Sequence, residues 1–252
     1  MASTNSTDNV APAPGIIFVA SKVLNKDVLS PYDFADWYED THIQEVQATG
    51  GISHTQRYES ITFTSEHRNQ KLSAGILESQ NVNYDFLTIY DMSDLAFRET
   101  QTFKRLGGQS RPSDDILEGI FKAAEFCTRF CETLPSASPL SSGSGRDAAP
   151  FVVTMLGPTS TYGPSLSGLQ GVRAKREFRV REASRLSGFE RTNLKEGECL
   201  MVFELEGAEC LEQIAKVIEE SDVGGLEIGF WVLRRAYDGS ERSPKEWKPP
   251  QR

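Results

Sequence analysis

Two stretches of this 252-residue chain read in the same element order, strand, helix, strand, strand, helix, strand, and a Ser/Pro/Gly-rich run separates them. Together these observations predict an α+β fold. The order βαββαβ is that of the ferredoxin-like unit, in which two helices cover one face of a four-stranded antiparallel sheet. Residues 15–134 form the first unit and residues 151–237 the second. Residues 135–150, PSASPLSSGSGRDAAP, bury nothing and read as the linker. Two such units in one chain predict an internal dimeric α/β barrel, closed by the two sheets. Residues 1–14 read as a disordered arm and residues 238–252 as a tail.

Each element has a local reason. Gly15 to Val23 is a near-continuous apolar run of strand length. Ser30 caps a helix, Pro31 suits its first position, and Asp33 completes the cap. Phe34, Trp37, Thr41 and Val46 recur at helical spacing, and Tyr38, His42 and Glu45 line a neighbouring stripe. Thr49-Gly50-Gly51 ends the helix, and Ile52 to Glu59 is the second strand. Ile61 to Asn83 reads as a long polar loop, either disordered or a lid. Tyr84 to Met92 alternates as a half-buried strand, and Ser93 or Asp94 caps a second helix ending at Gly107-Gly108. Ser113 caps a short turn, and Ala124 to Leu134 alternates again.

In the second unit, Phe151 to Leu156 is a strand. Leu169 to Leu186, ended by Gly188, is predicted as a helix. Its Arg173, Arg176, Arg179, Arg181 and Arg185 read as a solvated face paired with acids, or as an anion site. Phe189 to Leu194 and Cys199 to Leu205 are strands, Ala208 to Glu220 a helix, and Glu227 to Tyr237 the last strand. Aligning Ile52 with Phe189 sets His42 opposite Arg179, so the chemistry is expected in the first unit.

Composition removes several function classes. The net charge of -9 and pI near 5.0 leave no basic face for nucleic acid. No apolar run approaches the ~20 residues of a membrane span. The polar N-terminus MASTNSTDNVAPAP resembles neither a signal nor a transit peptide, which predicts a cytoplasmic protein. Cys127, Cys131, Cys199 and Cys210 have no C-x-x-C spacing and read as free thiols, with core packing set against metal or redox work. With three histidines and no zinc-ligand spacing, no metal is expected. No G-x-S-x-G, phosphate-binding loop or dinucleotide fingerprint is present, and no cofactor is expected.

The candidate chemistry gathers on the first helix and the strands facing it. His42 could transfer a proton near neutrality, or simply satisfy the helix C-terminus. Tyr58 and Tyr38 could donate to a developing enolate or phenolate oxygen, or serve as core with a wet tip. Asp40 or Glu39 could orient His42. Arg57 could hold an anionic substrate group or form an ion pair. Tyr84, Phe86 and Tyr90 share strand parity and line a cavity or a core, together with Trp37. His54 shares parity with Ile52 and Tyr58 as a second pocket histidine, while His67 reads as solvated.

At WYEDTHI, followed by ATGGISHTQRY, the chain resembles the EthD-like members of the dimeric α/β-barrel superfamily, as found in filamentous fungi. Trp37, Tyr38, Glu39, Asp40, His42, Ile43, Arg57 and Tyr58 carry the resemblance, which covers residues 15 to 134. It implies a cofactor-free enzyme of secondary metabolism acting on a small hydrophobic, polyketide-like substrate. The expected reaction is a cyclisation, dehydration or rearrangement by a lyase or isomerase. A cofactor-free aromatic monooxygenase and a non-catalytic module that binds a hydrophobic metabolite are the alternatives. The expected state is a monomer with an internal pseudo-dimer, or a weak homodimer, with no nucleic-acid or membrane partner.

Overall fold

Strand β4 (Ala124–Thr133) pairs on one side with β1 (Gly15–Val23) and on the other with β6 (Val172–Ser187), and that second pairing closes the sheet into a ring. In this computed structural model, residues 11–68, 82–106, 113–135, 148–158, 166, 168–221 and 225–238 are described. The remaining strands are β2 (Ile52–Ser60), β3 (Phe86–Met92), β5 (Phe151–Gly157), β7 (Glu190–Asn193), β8 (Cys199–Leu205) and β9 (Glu227–Tyr237). The order β4-β1-β3-β2-β9-β5-β8-β6 returns to β4 as an eight-stranded antiparallel barrel, and β7 extends β6 beyond the ring. Strands of the first half therefore run β4-β1-β3-β2, and those of the second run β9-β5-β8-β6.

Alternation sorts side chains to the two faces of this wall. Ile16, Phe18, Leu87, Ile89, Phe178, Val180 and Trp231 fill the barrel. On the outside, Ile17, Val19, Phe86 and Tyr90 pack under helix α1 (Pro31–Trp37) and helix α2 (Ile43–Gln47). The helix Ala208–Glu219 covers the outside of the second half with Leu211, Ile214, Ala215 and Ile218, as its period predicts. Inside the barrel, Arg176 meets Asp91 and lies 3.6 Å from Glu204, tying β6 and β8 to β3.

The helix expected over Leu169 to Leu186 is instead strand β6. Its Arg, Lys, Glu and Ala residues favour helix locally, but pairing with β8 on one side and β4 on the other overrides that preference. The set of five arginines is accordingly split: Arg176 is buried in the barrel, while Arg173, Arg179, Arg181 and Arg185 are exposed. The alignment of His42 with Arg179 falls with the helix that motivated it.

Other segments depart more locally. The expected second helix is a 3-10 turn over Leu95–Glu99, capped by Asp94, followed by one turn of α-helix over Gln101–Lys104. Gly107 and Gly108 lie outside the described residues. The predicted loop from Ile61 begins as helix α3 (Ile61–Arg68), and residues 69–81 lie outside the described set. Most of the linker, residues 136–147, also lies outside it, as do residues 1–10 and 239–252. Among the described residues no helix is long and apolar enough to cross a membrane.

Candidate active site

The helix from Pro31 to Gln47 begins as the sequence requires. Ser30 Oγ accepts a hydrogen bond from the Asp33 backbone N–H at 3.1 Å and donates to its carboxylate at 2.6 Å. Between α1 and α2 the chain makes a π-helical turn, Tyr38–His42, in which the Ile43 N–H reaches the Tyr38 carbonyl. In a regular α-helix, residues five apart point about 140° away from each other. The wider turn brings Trp37 and His42 onto one side, where their rings stack at 5.3 Å between centroids with 14° between planes. Tyr38 meets the same imidazole edge-on at 5.0 Å.

These three rings form one wall of a partly open cavity of about 140 Å³. An apolar cavity of about this size accommodates a single aromatic ring. Ile17, Val19 and Tyr90 form its floor, and Phe103, Phe121, Phe126 and Phe130 close the sides. The second half supplies the rim through Glu182, Ser184, Leu186 and Arg191. A bulge in β6 makes this possible. Phe130 pairs with Glu182 and Cys131 with Val180, so Arg181 is the extra residue. Before it Phe178 and Val180 point into the barrel, and after it Ala183 does, which turns Glu182, Ser184 and Leu186 outward.

Beneath the Tyr38 ring lies a buried cation. The Arg57 guanidinium sits 4.0 Å from the Tyr38 ring centre and 4.6 Å from that of Phe86, and its Nη1 donates to Thr88 at 2.6 Å. Among the described residues its Nε and Nη2 make no hydrogen bond, and neither do the Tyr237 hydroxyl and the Trp37 indole N–H, while the Tyr90 hydroxyl interacts with Tyr38. Tyr90, Thr55 and Tyr237 stand in one row across β3, β2 and β9. Buried polar groups without partners are rare in folded proteins and mark places where water or ligand belongs.

Electrostatics set the state of the imidazole. Burial first and the Arg57 cation second push the His42 pKa down to about 4, so the ring is neutral at physiological pH. Glu45 stands 3.9 Å from His42 Nδ1, too far for a hydrogen bond, and burial raises its own pKa. Burial also pushes the Tyr90 hydroxyl well above the ordinary range, which keeps it a donor. Glu39 does not orient His42: it pairs with Arg234, which also donates to Glu59 at 2.7 Å. Arg234 is itself the extra residue of a bulge, between the pairs Arg57–Arg235 and Tyr58–Leu233.

The arrangement of a helix-covered sheet wall facing a partly open aromatic cavity can be compared with solved structures. One described as an anthrone oxidase-like protein superposes with a TM-score of 0.50 over 91% of this chain and 94% of its own, at 9% identity. The two share a fold. A putative monooxygenase from Lactobacillus acidophilus NCFM aligns over 90% of this chain and 97% of its own, with a TM-score of 0.45 and 9% identity. No protein-family model matches the chain, and no curated protein matches it.

Of the residues singled out from the sequence, Trp37, Tyr38, His42 and Tyr90 line the cavity, with Arg57 and Phe86 directly behind. Tyr58 does not meet His42. It points into the barrel, where its hydroxyl lies 3.0 Å from Gln56 Oε1 and burial raises its pKa. His54 is exposed, because a bulge at Ser53 breaks the parity that grouped it with Ile52. Tyr84 precedes the first pair of β3 and packs against the barrel core, interacting with Cys127 and Arg185. Cys127 and Cys131 do share the interior face, and burial pushes the Cys131 thiol up to about 12. Sequence reading missed Phe126, Phe130 and the whole contribution of the β6–β7 hairpin. Its one local signal was Ser187-Gly188, a turn dipeptide that reads equally as a helix stop.

Proposed function

We propose that this chain is a cofactor-independent enzyme that removes a proton beside a carbonyl of a small aromatic or polyketide-like substrate. The observation that carries this reading is the neutral His42 imidazole in the wall of an aromatic cavity that the Tyr90 hydroxyl, in contact with Tyr38, and Trp37, with its buried unpartnered N–H, also line. A neutral imidazole accepts a proton, and hydroxyl donors stabilise the enolate oxygen that forms. The low pKa of His42 keeps every molecule in the basic form, and the negative charge developing on substrate favours the imidazolium once it appears. Arg57 lies behind Tyr38 and adds positive potential without touching the cavity.

Collapse of the enolate by cyclisation, loss of water or rearrangement makes the enzyme a lyase or isomerase. A second reading follows from the fold shared with the anthrone oxidase-like protein. On this second reading the same carbanion of this chain's substrate reduces dioxygen: a CH2 carbon becomes C=O, one oxygen atom enters product and the other leaves as water, so no further reductant is required. The two readings separate in one experiment. Turnover of a single-ring benzylic ketone with an enolisable CH2 and of a short β-polyketone by the purified chain is measured with and without dioxygen, and consumption of dioxygen matched to product selects the monooxygenase. Absence of turnover with any enolisable aromatic substrate removes both and leaves a binding module.

In this reading each half is a ferredoxin-like unit, supported by the strand orders β4-β1-β3-β2 and β9-β5-β8-β6. The β6–β7 hairpin stands in the connection that in the first unit, between β2 and β3, begins with α3. One chain then supplies both halves of a barrel and acts as a monomer, carrying one site.

A further inference from the structure

The rim of the cavity does not share the negative balance of the chain. The sequence has a net charge of -9. At the cavity, however, the charged lining residues are Glu182 and Arg191. Glu182 is already paired with Arg98, whose Nη1 lies 3.0 Å from its Oε2, and the Arg98 guanidinium covers the Phe130 ring at 5.2 Å. Arg191 is exposed on β7 and makes no ion pair among the described residues. Among the described residues one cation therefore remains uncompensated at a cavity lined mainly by aromatic and aliphatic side chains.

From this juxtaposition we infer that the substrate or ligand of the cavity is an aromatic acid: its ring occupies the cavity, and its carboxylate meets Arg191 at the mouth. The inference rests on the cavity being the substrate site, and makes Arg191 a specificity-determining residue contributed by the second half. A guanidinium and a carboxylate match in geometry as well as in charge. The surrounding negative charge of the protein disfavours any anion not held by this cation, so discrimination depends on Arg191 itself. A cavity of about 140 Å³ leaves room for one ring and places a short side chain at the opening.

The test is an equilibrium titration of the full chain with 3-phenylpropanoate and with its neutral isostere 3-phenylpropanamide, followed by calorimetry at low salt. The acid is expected to bind about 3–10-fold more tightly than the amide, as for one partly exposed charge-assisted pair. Arg191→Gln should make the two ligands equivalent, Arg191→Glu should reverse the preference, and about 1 M salt should shrink it in the wild type. Because Arg191 is exposed, both variants should keep the wild-type melting temperature. Equal binding of acid and amide, a preference that survives Arg191→Gln, or failure of both ligands to bind would each overturn the inference. No chemistry occurs in this assay, so its failure is distinct from loss of the enolisation reading, which is judged by turnover.

Discussion

The Arg57 guanidinium lies over the Tyr38 ring, its carbon 4.0 Å from the centre of the phenol ring, with no exposed surface on the arginine. A cation in this position acts on everything in the cavity wall without touching substrate. Replacing Arg57 by Met keeps most of the volume and removes the charge. The expected result is an upward move of the His42 pKa, because the Arg57 cation is one of the two causes that lower it. Titration of the His42 ring by NMR in the Arg57→Met variant checks this, and an unmoved pKa would disprove the coupling.

His42→Ala should lower turnover by roughly 100-fold or more, the scale of general acid–base catalysis, with the fold retained. His42→Gln can hydrogen-bond but cannot carry a proton near neutrality, and should be as slow. Wild-type turnover in both variants would remove His42 from the chemistry.

His42 also links stability to pH. Its folded pKa, about 4, lies below the value of 6.5 for an unperturbed histidine. Below pH 6.5 the unfolded chain binds a proton that the native chain does not, so stability falls progressively and the loss is complete only below about pH 4. The full effect is about 3 kcal/mol at 1.36 kcal/mol per unit. Urea denaturation at pH 7 and pH 4.5 should show a smaller difference between the two pH values for His42→Gln than for the wild type.

Arg234 holds Glu39 of the π-turn and Glu59 of β2, whose side chains are 8% and 2% exposed. Arg234→Ala takes their shared cation away from two buried carboxylates. The expected loss is roughly 3 kcal/mol, the cost of breaking a buried pair from one side. A denaturation midpoint unchanged from wild type would mean that other contacts already compensate the two acids.

Gly188 and Phe189 both have positive φ, at 52° and 80°, in the turn joining β6 to β7. Two-residue hairpin turns favour that twist, but only glycine and, less readily, asparagine adopt it without penalty. Phe189 is also 46% exposed, so its ring contributes little packing. Phe189→Asn should stabilise the protein by about 1 kcal/mol, visible as a higher melting temperature. A lower one would show that the exposed ring packs more usefully than its surface suggests.

Legibility in the sequence followed the regularity of each segment. Strands β1, β8 and β9 were readable to the residue because Gly15–Val23, Cys199–Leu205 and Glu227–Tyr237 are apolar runs bounded by polar turns. The cap at Ser30 and the stop at Gly50 were readable because each depends on a few adjacent residues. Strand β6 was not, for two reasons. Its composition favours helix, and the bulge at Arg181 shifts the buried parity from Phe178 and Val180 to Ala183, which erases a period of two. In the site, Tyr38, His42 and Tyr90 could be placed from helix and strand spacing. Tyr58 could not be separated from Arg57, since adjacent strand residues face opposite ways and the sequence does not say which face the helix covers.

Closure of the ring leaves its eight strands without a free edge, since each already exchanges hydrogen bonds with two neighbours. Open edges are where sheets recruit foreign strands and begin to aggregate. Among the described residues, strand β7 alone lies outside the ring. It is four residues long, Glu-Arg-Thr-Asn, and every one of them is exposed. A short, charged, hydrated edge is a poor template for another chain. The segment that forms the mouth of the cavity is therefore also the one that guards the sheet against fibril-like stacking. Substitutions there with valine or isoleucine, made to widen substrate choice, would carry a solubility cost that equivalent changes inside the ring would not.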